Sequence, residues 1–87
     1  MQEAIVEQDT LKEWDITPSG EAYLDELDTE YPTEEQEKEL IILISMMEDG
    51  PLTTHRLKSE YTKNWGRPRG FTQALESLSS RKYMEKS

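Results

Sequence analysis

Apolar residues recur with helical spacing along most of this chain and alternate only near its start. Ala4-Ile5-Val6-Glu7 and Lys12-Glu13-Trp14-Asp15-Ile16 are short segments rich in β-branched or aromatic residues, and Trp14 and Ile16 share a face by period two. Gln8-Asp9-Thr10-Leu11 between them can turn. The pair predicts a β-hairpin, although no Asn-Gly or Asp-Gly marks the turn.

Thr17-Pro18 then opens a helix, with Thr17 as N-cap and Pro18 at the first helical position. Ala22, Tyr23, Leu24 and Leu27 form its apolar stripe, and it ends before Tyr31-Pro32, because a residue preceding proline avoids the α region. Thr33-Glu34-Glu35-Gln36 is a capping box that starts a long helix running to about Glu48, where Gly50 and Pro51 stop it. Leu40-Ile41-Ile42-Leu43-Ile44-Ser45-Met46-Met47 is apolar nearly all round, which predicts a helix sandwiched at the centre of the core.

Leu52-Thr53-Thr54 is a short extended piece that doubles as a cap. Leu57 and Tyr61 share one face of the helix that follows, which Asn64-Trp65-Gly66-Arg67 breaks. Pro68 opens a further helix, with Phe71, Ala74, Leu75 and Leu78 on one side and Arg69, Thr72, Gln73, Glu76 and Ser80 on the other. Tyr83-Met84-Glu85-Lys86 reads as a final strand. The expected fold is mainly α with a small β-hairpin, in one domain over residues 1–87.

Composition narrows the function. Ile, Leu, Val and Phe make up only 16 of 87 residues beside a net charge of −9, so folding depends on where the two Trp, four Tyr and four Met are placed. A chain of this size is too small for a large enclosed active site as well as a core. The absence of cysteine removes disulfides, thiolate zinc sites and thiol nucleophiles, and it fits a reducing, cytoplasmic setting. The longest apolar run, Leu40 to Ile44, is far short of the roughly 20 residues that span a bilayer, so no membrane association is expected. The acidic N-terminus lacks the basic start of a secretion signal.

Charge is segregated. Residues 1–55 hold Lys12 and Lys38 against 16 acids, whereas residues 56–87 hold eight cations against Glu60, Glu76 and Glu85. One face could therefore meet an anion while the remainder repels it.

The order helix, short extended piece, helix, turn, helix, strand resembles a helix-turn-helix domain of the winged type over residues 33–87. The resemblance is carried by Glu39-Leu40-Ile41-Ile42-Leu43-Ile44 with Asp49-Gly50-Pro51-Leu52-Thr53, then Leu57 and Tyr61, then Arg69-Gly70-Phe71-Thr72-Gln73-Ala74-Leu75-Glu76-Ser77-Leu78 followed by Arg81-Lys82-Tyr83-Met84-Glu85. In that family the last stretch usually leads into a hairpin, the wing. Ile5-Val6-Glu7 and Glu13-Trp14-Asp15-Ile16-Thr17-Pro18-Ser19-Gly20-Glu21-Ala22-Tyr23-Leu24 resemble the wing and closing helix of archaeal and bacterial winged-helix regulators. Residues 1–30 thus look like the end of such a domain and 33–87 like its beginning. Two arrangements fit: a circularly permuted winged helix folded back within one chain, or a hairpin paired with a second chain in a homodimer.

The resemblance implies a small protein that binds double-stranded DNA with its third core helix in the major groove, as a transcriptional regulator. It points to Arg67, Arg69, Thr72 and Gln73 at base edges, where Arg can fork onto guanine and Gln can pair with adenine. Lys58, Lys63, Arg81 and Lys82 fall near phosphates. The competing reading of each is an ordinary solvated side chain, and Glu76 on the same face argues mildly against tight phosphate contact. Trp65 either stacks on a base or, as is commoner in such turns, caps the core. His55 has no second His, no Cys and no patterned acid beside it, which leaves it an exposed polar residue able to touch a phosphate. No Ser, His and Asp set or carboxylate pair stands out, so no enzyme activity, metal or cofactor is expected. The alternative function is an acidic winged-helix adaptor or inhibitor that binds a protein partner and not DNA.

Overall fold

A computed structural model describes residues 12–86. Strand β1 (Glu13–Ile16) is followed by helix α1 (Pro18–Leu27), helix α2 (Glu34–Asp49), strand β2 (Leu52–Thr53), helix α3 (Thr54–Trp65), helix α4 (Phe71–Ser80) and strand β3 (Met84–Lys86). The architecture is mainly helical with one three-stranded antiparallel sheet of order β2-β1-β3. The expected hairpin partner, residues 4–7, lies outside the described residues.

The helix boundaries follow local chemistry. The Thr17 hydroxyl accepts from the Gly20 amide, with Pro18 in the first turn of α1. At α2 the capping box is complete: Gln36 N donates to Thr33 Oγ1 at 3.2 Å, and Thr33 N donates to Gln36 Oε1 at 2.8 Å. A cap of this kind contributes about 1 kcal/mol. Gly50 ends α2 at φ 80°, and its amide returns to the Met46 carbonyl at 3.0 Å. Thr53, the last residue of β2, caps α3 through the Arg56 amide. Helix α4 begins at Phe71, three residues later than Pro68 suggests, because Arg67-Pro68-Arg69-Gly70 is occupied by a turn.

The buried core consists of Leu27 from α1, Ile42, Leu43 and Met46 from α2, Leu52 from β2, Leu57 and Tyr61 from α3, Phe71, Ala74 and Leu78 from α4, and Met84 from β3. Every element except β1 supplies a buried apolar residue. Trp14 and Ile16 of β1 are half-buried against this core on one face of the strand, as the period-two spacing requires. Ala22, expected in the apolar stripe of α1, is exposed, because the buried side of that helix runs through Gly20 and Leu27.

The sandwiched position expected for α2 needs a correction. Ile42, Leu43 and Met46 are buried, but Ile44 is 37% and Met47 48% exposed. An all-round apolar pattern sets how many neighbours a helix can accept, and α1, α3, α4 and the sheet cover only part of its circumference.

β1 is the central strand. Trp14 faces Leu52 across one ladder and Lys86 across the other, while Ile16 faces Met84. Trp14 Nε1 donates to Thr54 Oγ1 at 2.7 Å, and the Lys86 ammonium lies 5.7 Å from the indole centroid. Just beyond the strand, Thr17 N donates to the Tyr83 carbonyl and Thr17 Oγ1 to the Lys82 carbonyl. Among the described residues β1 is therefore laddered on both edges, to β2 and to β3.

Candidate nucleic-acid interface

The cationic residues sit on scaffolding provided by α3 and the turn after it. Gly66 closes α3 in the left-handed region (φ 97°, ψ −7°), and its amide donates to the Thr62 carbonyl at 2.8 Å. Gly70 precedes α4 at φ 89°, ψ −7°. Two glycines thus bracket Arg67, Pro68 and Arg69, because L side chains rarely adopt this backbone region. The core holds the turn in place: Tyr61, fully buried, donates its hydroxyl to the Arg69 carbonyl at 2.7 Å. The backbone of Arg69 is pinned while its side chain is exposed.

Arg67, Arg69 and Gln73 share one surface concavity with Trp65, Lys38 and Glu34. Trp65 is half-buried against the core, with its ring tilted against Tyr61 at 6.4 Å between centroids. It caps the core on one side and borders the concavity on the other. Lys38, from α2, lies 5.6 Å from the Trp65 centroid and is bridged to Glu35 at 3.6 Å and Glu34 at 4.0 Å. Its helical spacing from both acids is visible in the sequence, but its approach to Trp65 is not.

A second concavity is lined by His55, Lys58, Ser59, Thr62, Lys63 and Pro68. The two meet at the turn, where Pro68 sits between Arg67 and Arg69. Among the described residues none of Lys58, Lys63, Arg67 and Arg69 is in an ion pair. Thr72 and Glu76 are exposed on α4 and border neither concavity.

Two expected phosphate contacts stand elsewhere. Lys82 is exposed at φ 63° and lines a separate concavity with Trp14, Ser79 and Lys86. Arg81 folds back onto the protein. It forms an ion pair with Glu39, which is only 7% exposed, and its Nε donates to the Ser77 carbonyl at 3.1 Å. Its guanidinium lies 4.9 and 5.1 Å from the centroids of Tyr23 and Tyr83, which stack on each other at 4.3 Å. Arg81 neutralises a buried carboxylate, so a phosphate would have to compete with Glu39 for it.

The phenols of Tyr23 and Tyr61 are pushed above their ordinary range, in each case first by burial. For Tyr23 the hydrogen bond to Glu39, at 2.6 Å, adds to this, and for Tyr61 the charges of Glu35 and Glu34 do. Below the ordinary value of about 10 both folded and unfolded chains hold these protons, and the contribution to stability is complete. Above it the unfolded chain releases protons that the folded one retains, so stability falls as pH rises through the raised folded values. The melting temperature should be level near about pH 9 and drop above about pH 10, with a shallower drop in Tyr23→Phe. A level profile into strong alkali would contradict the burial of these phenols.

Among the described residues no helix is long and apolar enough to cross a membrane, and no group of three or more His, Asp or Glu is placed to hold a metal ion. No family model, no curated protein and no solved structure matches this chain.

Proposed function

We propose that the protein is a small winged-helix DNA-binding protein that engages duplex with α3, the Arg67–Gly70 turn and the start of α4, as a transcriptional regulator. The observation that carries this reading is that Lys58, Lys63, Arg67 and Arg69 line adjoining concavities with no carboxylate paired to them among the described residues, in a chain whose net charge is −9. Cations left free in so acidic a protein suit an external polyanion. Arg67, Arg69 and Gln73 are then the base-reading residues, Lys58 and Lys63 the phosphate contacts, and His55, Ser59 and Thr62 supply polar contacts along the same backbone. Glu34 at the rim weakens the local potential and favours a fit that keeps the phosphates toward the α3 side.

Binding to random duplex at two salt concentrations tests this. The two phosphate contacts, Lys58 and Lys63, predict a slope of log affinity against log salt of about −1.8, or roughly a tenfold loss between about 50 and about 200 mM. Replacing Lys58 and Lys63 together by Ala should make the slope shallower by about 2, whereas replacing Arg67 and Arg69 together by Ala should lower affinity roughly 100-fold with little change of slope. An unchanged affinity would remove these residues from the interface. No duplex binding at low salt would leave the protein-adaptor reading, which the open apolar side of α2 favours.

A further inference from the structure

The exposed side of α2 has no role in the proposed contact with DNA. Leu40, Ile41, Ile44 and Met47 lie within about 60° of one direction on the helix, at 100° per residue, with Ile44 at the centre. Leu40 and Ile41 are half-buried against the core, and Ile44 and Met47 stand exposed. Beside this ridge runs a groove between α2 and α3, with Leu40, Ile41 and Ile44 on its apolar side and Glu48, Asp49 and Glu60 among its polar lining. No Lys or Arg lines it, and none of the three carboxylates is in an ion pair among the described residues. Glu37 adds another acid to the same side of α2, one turn before Ile41.

We propose that this groove docks a basic amphipathic helix of a partner protein, its apolar stripe against Leu40, Ile41, Ile44 and Met47 and its cations beside Glu48, Asp49 and Glu60. An amphipathic helix laid in an apolar groove is a common recognition mode, and opposite charge at the rim sets partner choice and speeds encounter. The charge pattern excludes other occupants. A second copy of this chain brings the same Glu37, Glu48, Asp49 and Glu60 against themselves. Residues 1–11 contain Glu3, Glu7 and Asp9 and no Lys or Arg, so they meet like charge as well. Nucleic acid and anionic lipid are repelled for the same reason.

The groove and the cationic surface use different sides of α3. With Leu57 and Tyr61 facing the core, Glu60 and Asn64 lie to one side of the buried stripe and Lys58 and Thr62 to the other, at about 100° per residue. The protein can therefore hold DNA and a basic helix at once, and neither assignment depends on the other.

The test uses the full chain, isotope-labelled, and a synthetic 18-residue Leu/Lys helix with Leu at i, i+3, i+4 and i+7. Controls are a peptide of the same composition with its Leu scattered around the helix, and a Leu/Glu helix with the original spacing. Saturable binding of the first peptide is expected, with amide shifts centred on Leu40, Ile41, Ile44, Met47 and Glu60. Ile44→Lys should weaken it roughly tenfold or more, as should the milder Ile44→Gln by several-fold. Both side chains sit at an exposed position, and circular dichroism checks that the fold is kept. The variant lacking Arg67 and Arg69 should bind the peptide as tightly as the natural chain. Equal binding of either control peptide, an unchanged affinity in both Ile44 variants, or an Ile44-dependent dimer in sedimentation would overturn the proposal. Loss of duplex binding in the salt experiment would leave it standing.

Discussion

Gly20→Ala should lower stability by roughly 3 kcal/mol, a fall in melting temperature of about 15 °C, although alanine is the better helix former. A Cβ at position 20 would stand 2.0 Å from the Tyr83 carbonyl oxygen and 2.8 Å from Ile16 Cγ1. At an exposed helical site the same change stabilises by about 1 kcal/mol. Here the obstacle is backbone, and it is fixed from both sides: the Tyr83 carbonyl accepts from Thr17 N, and the neighbouring Lys82 carbonyl accepts from Thr17 Oγ1 at 2.7 Å. Relief requires α1 to move away from the end of α4, which breaks those bonds and opens the junction of β1 with β3. Urea unfolding of Gly20→Ala beside Ser19→Ala, whose side chain is exposed, measures the difference directly. A Gly20→Ala protein as stable as the natural chain would mean that α1 does not pack this closely.

Arg81→Ala should cost about 2 kcal/mol, below the roughly 3–5 usual for a buried pair because the Arg81 side chain is 40% exposed and the pair partly screened. The loss comes from what is left behind. Glu39 would keep the Tyr23 hydroxyl and a long contact from Ser77 at 3.4 Å, with no positive charge near its second oxygen. Adding Glu39→Gln to Arg81→Ala removes the stranded charge while Tyr23 still has an oxygen to donate to, so the double variant should recover most of the loss. Arg81→Lys should fall between, since an ammonium cannot reach Glu39, Ser77 and Tyr23 with separate N–H groups. A double variant whose loss equals the sum of those of Arg81→Ala and Glu39→Gln made singly would show that the two side chains act independently.

How far the sequence revealed the molecule follows from the range of each interaction. The capping box at Thr33, the stops at Gly50 and Gly66 and the Leu57–Tyr61 pairing involve residues within a few positions of each other, and spacing exposes them. The turn that holds Arg67 and Arg69 was read only in part: the break at Gly66 was legible, but Pro68 read as a helix start, and the left-handed Gly70 delays the helix to Phe71. The role of Arg81 was not: Glu39 lies 42 positions earlier among acids that look alike, and only tertiary packing singles it out. The partners of β1 were hidden for a similar reason. A strand with Trp14 and Ile16 on one face announces that it needs neighbours, yet its pattern is the same whether they come from a nearby turn or from β2 and β3. The open side of α2 was misjudged because a run such as Leu40–Met47 records hydrophobicity all round, while the number of elements available to cover it is a property of the whole chain. Lys38 was overlooked for the cationic concavity because its tie to Glu34 and Glu35 reads as ordinary helix-surface pairing.

The central place of β1 also governs when this protein can fold during synthesis. Its outer neighbour β3 is made some 70 residues later, at Met84–Lys86. A ribosome can release α1 and α2 with the indole of Trp14 already formed but one edge of its strand still bare. Until Met84–Lys86 has been made, that edge is open to any other extended chain, and crowding on a polysome would favour such mispairing.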